Sequence, residues 1–210
     1  MHEPKLNLFV SAGAICLGLA IAAIGALPGA LSSGSPLRTL DDLVKFGVSH
    51  EFVDLAERFP VRFGQHFPDG VTRASFSQAL QTGRDIYVAE ACWHCHSQQV
   101  RPQSTDIIRY GPVSTAREYH NVLQRPPLYG SRRVGPDLIR EAGRRSNDWH
   151  MAHFFNPVDV SPTSVMPRYP WFFDDDGYPN KRGMSLITYV QWLGSWVSEY
   201  PYFEGKSPQG

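Results

Sequence analysis

The residues with the clearest chemistry are two cysteines and a histidine in the stretch EACWHCHSQQVRP, residues 90–102. Cys92, Cys95 and His96 form the pattern C-x-x-C-H, and a second histidine, His94, lies inside the gap. Two thiols at this spacing can bond to the two vinyl groups of a haem, and the adjacent histidine can then ligate the iron. The same residues could also form half of a zinc site or a redox dithiol.

The zinc and dithiol alternatives each lack a part in the sequence. A structural zinc site needs four ligands, usually as two close pairs. The histidines outside the motif are scattered singly, and the third cysteine, Cys16, lies in an apolar segment. A redox dithiol is expected near a βαβ pattern, and none is visible. Both alternatives stay open, and one covalent haem c is the prediction.

A haem iron bound by His96 also needs a ligand on its opposite side, usually a thioether or a second imidazole. Met166 stands in SVMPRYPW, a loop stiffened by prolines, whereas the other methionines beyond the apolar N-terminal segment fall in predicted helices. We therefore predict Met166 as the second iron ligand, with His153 as its competitor. In VGPDL, the carbonyl of Pro136 is expected to accept the Nδ1 proton of His96 and hold the ring.

The helix before the motif must pack closely against another helix. Gly83 and Tyr87 are spaced i,i+4 and share one helix face. Gly83 allows a second helix to approach, and Tyr189 or Trp192 of the predicted terminal helix could pack there. This arrangement is typical of a compact helical cytochrome c domain.

The N-terminal segment predicts a membrane anchor. No charged residue occurs from residue 6 to 36, and residues 8–27 are apolar, which is about the length of a transmembrane helix. A cleaved signal peptide is the alternative, although its apolar core is usually shorter. We expect the helix to end at Leu27-Pro28-Gly29. Lys5 on the short flank favours a cytoplasmic N-terminus, with the rest of the chain outside.

Composition excludes several classes. The 210 residues are 42% hydrophobic, so a core can form, and 20 basic residues balance 20 acidic ones. The chain therefore has no overall attraction to nucleic acid. Seventeen prolines and 18 glycines indicate a loop-rich fold, and three cysteines exclude a disulfide scaffold. The sequence contains no convincing catalytic triad, phosphate loop or carboxylate pair, so the isolated chain is not expected to be a catalyst.

The predicted fold class is mainly α: a single N-terminal transmembrane helix followed by a class I cytochrome c-like helical domain with long loops. We predict four segments: an anchor at 1–35, a linker with short amphipathic helices at 36–74, a cytochrome c domain at 75–203 and a tail at 204–210.

Within these segments, helical periodicity and caps predict a helix that begins near Ser75 or Ser77 and leads to the C-x-x-C-H motif. Further helices are predicted at 147–156 and 184–200. Residues 61–71 read as a linker, and residues 97–135 as irregular because prolines interrupt any long element.

The order of motifs from residue 82 to 171 resembles the monohaem subunit (subunit II, FixO/CcoO-like) of cbb3-type cytochrome c oxidases. The motifs are TGRDIYVAEACWHCHSQQVRP, RYGPVS, GSRRVGPDL, AGRRSNDWHMAHFFNP and MPRYPW. The patterns C-H-S-Q-x-[IV]-R-P and W-H-x-x-H-x-x-x-P are far more selective than C-x-x-C-H. Residues 36 to about 75 depart from the family pattern.

The resemblance implies a subunit anchored in the lipid of the bacterial cytoplasmic membrane, with its haem domain on the periplasmic side. It would take electrons from another c-type cytochrome subunit or a soluble cytochrome c, and pass them to the polytopic haem-copper catalytic subunit that reduces oxygen. The alternative is a stand-alone membrane-anchored cytochrome c, or the small subunit of a nitric oxide reductase.

The haem propionates and an interface cation suggest further site residues. Propionates are anionic, and the planar guanidinium of arginine suits a carboxylate, so Arg101 and its neighbour Tyr110 are predicted to contact the cofactor. The resemblance also implies a calcium ion at a subunit interface near Ser131. Other candidates for the propionates or a partner surface are Arg109, Arg132, Arg133, Trp149, His150 and His153.

Overall fold

The structure is a computed structural model that describes residues 3–28, 30, 36–103, 105–130, 132 and 134–196. The chain divides into two compact units, Met1–Leu37 and Arg38–Gly210. Among the described residues the regular structure is helical, and β-pairing is limited to isolated bridges. The predicted mainly α fold class is confirmed.

Helix α1 covers Glu3–Ile21 and continues as a π-helical turn at Ala22–Ala26. The stretch Leu6–Ala26 is long and apolar enough to cross a membrane, and the side chains from residue 6 to 28 are exposed. The predicted helix end is wrong, because Leu27 and Pro28 remain helical. In the wider π turn the Leu27 N–H reaches the carbonyl of Ala22, and this irregular turn accommodates the proline.

Residues 38–66 form short helices, as predicted, but the linker expected at 61–71 is interrupted by one of them. The helices are α2, Leu40–Val44; α3, His50–Arg58; and α4, Pro60–His66. Local signals explain each start: Thr39 and Asp42 form a capping box, the Ser49 side chain caps α3, and a proline occupies the first turn of α4.

These helices belong to the core of the second unit. The Phe52 ring meets the Phe63 ring edge-on with centroids 5.0 Å apart, and the Phe67 ring at 5.4 Å. All three side chains are buried. Residues 38–74 therefore pack in the same compact unit as the rest of the domain, without a break at the predicted boundary near residue 75.

Helix α5, Arg73–Ala89, leads into the cysteine motif. Its N-cap is Thr72, whose hydroxyl accepts a hydrogen bond from the Ser75 N–H at 3.1 Å. The predicted start at Ser75 or Ser77 is therefore wrong by one turn. Thr72 is extended, as an N-cap must be, whereas Ser75 already lies in the first turn.

The terminal helix α9, Lys181–Trp192, is held at its start by the Asn180 side chain. It ends earlier than predicted, since Leu193 leaves the helical region and Gly194 has φ +90°. A left-handed glycine is a common helix terminator. The remainder of the predicted helix, residues 197–200, lies outside the described residues.

Helices α5 and α9 meet at Gly83, as predicted. A Cβ at this position would lie 2.1 Å from the Ser185 carbonyl oxygen and 2.6 Å from Cβ of Tyr189. The Tyr87 and Tyr189 rings then pack edge to face with centroids 5.6 Å apart. This contact fixes the helix that delivers the cysteine motif.

The remaining elements are short. They are α6, Cys92–Cys95; α7, Asp106–Tyr110; α8, Asn147–Phe155; and 3₁₀ turns at Ala116–Tyr119, Val122–Gln124, Pro157–Asp159 and Pro170–Phe172. Helix α8 confirms the helix predicted at 147–156, and residues 97–135 are largely irregular, also as predicted.

Buried polar contacts hold the irregular 97–135 segment in place. Two N–H groups of the Arg140 guanidinium donate to the Glu118 carboxylate, each at 2.8 Å, and a third donates to the Pro112 carbonyl at 2.8 Å. The Gln98 amide donates to the Tyr189 hydroxyl at 3.1 Å and accepts from Gln124 at 2.9 Å. These bonds replace the backbone ladders that the segment lacks.

The contact at Gly83 gives a direct test of the helix packing. We expect Gly83→Ala to lower the free energy of unfolding by about 2–3 kcal/mol, because the added methyl overlaps backbone that cannot move aside cheaply. Thermal or denaturant unfolding measures this change. Gly64→Ala is the matched control, since Gly64 lies in helix α4 with open space around it, and alanine there should be neutral or stabilising. Equal stability of the two variants would contradict the packing.

Candidate functional site

A cavity of about 470 Å³ brings together side chains from distant parts of the second unit. Cys92, Cys95, His96 and Met166 all line it, although Met166 follows His96 by seventy positions. Its walls also include apolar side chains from helices α5, α8 and α9. The structure therefore places the predicted haem attachment and iron-ligating residues around one space.

The chain reaches the cavity through a sharp turn at the end of α5. Ala91 adopts φ +57°, the left-handed region that side chains other than glycine rarely occupy. This conformation costs roughly 1–2 kcal/mol. It turns the chain directly into α6, where Cys92 and Cys95 lie one helical turn apart. The strained residue also lines the cavity, as strained residues at functional sites often do.

The His96 ring is held by the backbone of residues 135 and 136. Its Nδ1 lies 3.0 Å from the Pro136 carbonyl oxygen, which is the contact that the sequence predicted. A Cβ on Gly135 would lie 2.2 Å from Cε1 of the ring, so only glycine fits. When Nδ1 donates to Pro136, the other ring nitrogen, Nε2, keeps its lone pair for a metal.

Backbone hydrogen bonds fix this arrangement. The Gly135 N–H donates to the Cys95 carbonyl, and the Leu138 N–H donates to the Ser97 carbonyl, each at 3.0 Å. The Tyr87 hydroxyl donates to the His96 carbonyl. Burial lowers the pKa of His96, while the hydrogen bond to Pro136 opposes that shift. The ring is therefore poised as a neutral, oriented imidazole.

Burial of Cys92 bears on the competing chemistries. Burial raises the pKa of its thiol to about 12, and the nearby Glu90 carboxylate adds to the shift. A redox dithiol needs a thiolate in the free protein, which depends on a lowered pKa. The surroundings of Cys92 thus disfavour a redox dithiol, and its half-buried thiol stands beside a largely apolar cavity.

Met166 lies in the loop between the 3₁₀ turns at Pro157–Asp159 and Pro170–Phe172. Its N–H donates to the Ser164 hydroxyl at 3.2 Å, and the Tyr169 N–H donates to the Phe154 carbonyl at 2.9 Å. These bonds tie the loop to itself and to α8. The loop therefore presents Met166 to the cavity from a fixed backbone, as predicted for a ligating loop.

His153, the predicted competitor of Met166, lines the same cavity. Its ring stacks on Trp149 with centroids 4.5 Å apart and planes 16° from parallel. Burial, with a contribution from His96, lowers the pKa of His153 to about 4. His150, on the same helix, has its pKa lowered to about 3, mainly by burial. Both imidazoles are neutral at physiological pH.

Arg101 and Tyr110 do not line the cavity, contrary to the roles predicted for them. Arg101 Nε donates to the Asp106 carboxylate at 3.0 Å, and Tyr110 packs in a separate small cluster with Val100 and Ile139. The guanidinium of Arg101 pairs with a buried acid, Asp106. The sequence alone does not show this pairing.

Other arginines surround the cavity instead. Arg109, Arg144 and Arg145 line it, and of these only Arg109 was among the sequence candidates. Arg144 and Arg145 lie just before α8. Their position next to the predicted helix that carries WHMAH was the sequence signal that could have identified them. The guanidinium of Arg145 lies 5.2 Å from the centroid of the Trp149 ring.

The predicted calcium contact cannot be located. Ser131 lies outside the described residues, as does Arg133. The neighbouring Gly130 packs tightly on the motif, since a Cβ there would lie 2.3 Å from the Trp93 carbonyl oxygen. A calcium ion near Ser131 stays a prediction.

These residues fit a haem. A paired cysteine motif, an oriented imidazole and a thioether face one largely apolar cavity, with arginines to meet anionic arms. A helical domain with this site belongs to the class of single-haem cytochromes. A family model described as cytochrome C oxidase, mono-heme subunit/FixO, matches residues 60–196, and the chain belongs to this family. No curated protein matches the chain.

Family membership confirms the resemblance deduced from the motifs and extends it along the chain. The match includes α4 and runs through α9, beyond the motif region at residues 82–171. The chain is thus a mono-haem subunit that associates with a haem-copper oxidase complex. Residues 38–59, which include α2 and α3, lie outside the matched range.

Gly135 provides the prediction for this site. Gly135→Ala should displace the His96 ring and lower the fraction of chain that carries haem by roughly tenfold, the usual scale when the support of a metal ligand is lost. Absorbance of haem relative to total protein measures this fraction. Gly64→Ala should keep the parental fraction, because it adds the same methyl away from the cavity. Full haem content in Gly135→Ala would show that the ring does not depend on this contact.

Proposed function

We propose that this chain is the membrane-anchored c-type cytochrome subunit of a cbb3-type haem-copper terminal oxidase. It receives electrons from a donor cytochrome c and passes them to the polytopic catalytic subunit, where oxygen is reduced in aerobic respiration. The observation that carries the proposal is the convergence of Cys92, Cys95, His96 and Met166 on one cavity. The family match supplies the link to an oxidase.

Cys92 and Cys95 would hold the haem through thioether bonds, and His96 and Met166 would bind its iron. When bound, the haem supplies reversible one-electron chemistry. The protein's part is to hold both ligands in unchanging positions. His96 is fixed by Pro136, and the Met166 loop by its contacts with α8. A thioether ligand raises the reduction potential relative to a second imidazole, which favours uptake of electrons from a donor.

The cavity walls would control the surroundings of the haem. Leu138, Leu186 and Val190 present apolar side chains to the cavity, and a dry, apolar shell disfavours the more highly charged oxidised iron. Arg109 and Arg145 stand at exposed positions on the lining. There they would pair with the propionates, in the role first predicted for Arg101.

The N-terminal helix would keep this domain at the membrane. Leu6–Ala26 is long enough for one crossing. With Lys5 on the short flank and no charged residue between Lys5 and Arg38, we place the N-terminus in the cytoplasm and the haem domain on the periplasmic side of a bacterial inner membrane. An anchored domain stays close to its catalytic partner, which replaces diffusion with a high local concentration.

Purification of the tagged full chain from membranes in mild detergent tests the proposal. The preparation should show a reduced-minus-oxidised spectrum with haem c and b-type haem together, and it should consume oxygen when given a reduced donor. Haem c alone, without oxygen uptake, would overturn the oxidase assignment and indicate a stand-alone carrier. The absence of covalently bound haem would overturn the cytochrome assignment itself.

The ligand opposite His96 is tested separately. The oxidised parent should show the charge-transfer band of a thioether–iron bond, and Met166→Ala should lose this band and have a lower midpoint potential. Met151→Leu is the control. Met151 is not among the residues that line the cavity, so its replacement should keep both the band and the midpoint potential. A parent without the band, or a band that survives in Met166→Ala, would reject Met166 and favour His153.

A further inference from the structure

Helix α3 lies outside the range that the family model matches, yet it is built into the haem domain. The match begins at residue 60, and α3 covers His50–Arg58. Its Phe52 and Leu55 side chains are fully buried in the main core. The helix is therefore a structural part of the domain that carries the cavity.

One side chain joins α3 to the cavity wall. Asn147 is the first residue of α8 and is only 3% exposed. Its Nδ2 donates to the Glu51 carbonyl oxygen at 2.8 Å and to the Asp54 carboxylate at 2.7 Å. Its Oδ1 accepts from Gln191 Nε2 at 3.2 Å. The Asn147 amide thus joins α3, α8 and α9, and both of its N–H donors are used.

Two further contacts surround this amide. Arg58 pairs with Asp54 and with Asp148, the residue after Asn147. Both pairs are partly exposed, so they add little by themselves, but they orient the Asp54 carboxylate. Gln191 also donates to the Arg145 carbonyl at 2.8 Å. The same Gln191 amide thus connects Asn147 to the backbone of Arg145, which lines the cavity.

The position of α8 matters to the cavity because four of its side chains, Trp149, His150, His153 and Phe154, form part of the wall. Asn147 is the buried side chain of the first turn of α8, and its hydrogen bonds tie that turn to α3 and α9. A shift at Asn147 would move all four side chains together.

We propose that Asn147 is a positioning residue for the haem site, and that α3 acts on the site through it. The Asp54 carboxylate and the Glu51 carbonyl clamp the start of α8, which keeps the Trp149–His153 wall closed against the cofactor and keeps water out. This inference rests on the proposed function, because it concerns the environment of a bound haem. It assigns a role to a segment that the family pattern does not cover.

Loss of the clamp should change the haem environment in one direction. Without the Asp54 carboxylate, a buried N–H of Asn147 loses its acceptor, and the start of α8 must move or admit water to satisfy it. Water near the haem favours the oxidised iron, so the midpoint potential falls. A loosened wall should also weaken the thioether–iron band.

The experiment uses the full-length, haem-loaded chain in detergent at a temperature well below unfolding. Asn147→Ala and Asp54→Ala should each lower the midpoint potential, and the double variant should lower it little further because both remove the same bond. Asp54→Asn should keep the parental potential, because its amide oxygen can still accept from Asn147. This rescue separates the hydrogen bond from the charge of Asp54.

Two controls separate positioning from general loss of stability. Val44→Ala removes a buried side chain of α2 that lies outside the cavity lining and outside residues 97–135, so it should lower the unfolding temperature and leave the potential unchanged. Glu57→Ala changes an exposed residue of α3 itself and should change neither.

Two outcomes would overturn the inference. A parental potential and band in Asn147→Ala would show that the amide only stabilises the fold, and so would an equal shift in Val44→Ala. Absence of haem or of the thioether–iron band in the parent would instead count against the proposed function and its ligand set. The two failures are therefore distinguishable.

Discussion

The His96 imidazole lies in a narrow space between its own cysteine motif and the backbone of residues 135 and 136. Gly135 leaves no room for a side chain at the ring, and the Pro136 carbonyl sets which nitrogen carries the proton. The chain must therefore return to the motif after a detour of almost forty residues. The conformation of that detour, residues 97–135, decides whether the ring is held or free.

The detour is held by buried polar groups and has few regular elements. Arg140 and Glu118 are almost fully buried and satisfy each other with two hydrogen bonds, and Gln98 connects the residues after His96 to Tyr189 on α9. Such networks stabilise a unique arrangement only when their members are paired, since an unpaired buried charge is costly. The long loop can thus be as rigid as a helix, which suits a site whose ligands must not move during electron transfer.

The sequence predicted the parts of the site that depend on local pattern. C-x-x-C-H, the VGPDL turn, Gly83 and the proline-stiffened Met166 loop each carry their signal within a few residues, and the structure places them as expected. Arg101 does not line the cavity, since its guanidinium pairs with Asp106, and burial of that acid depends on tertiary packing. Arg144 and Arg145 were missed for the same reason: only the fold shows which arginines of a basic segment meet the cavity.

Residues 61–71 show a different limit of sequence reasoning. Glycines and prolines suggested a linker, but Phe59, Phe63 and Phe67 recur at a helical spacing of four, and the last two fill the core beside Phe52. The linker was predicted from the glycines and prolines, and the helical spacing of the three phenylalanines was not used because the segment is short. The consequence reaches the cavity, because α3 packs on these aromatics and presents Asp54 to Asn147. A segment with the composition of a linker can therefore support the wall of the cavity. The compact unit that contains the cavity begins at Arg38, before the family match begins at residue 60.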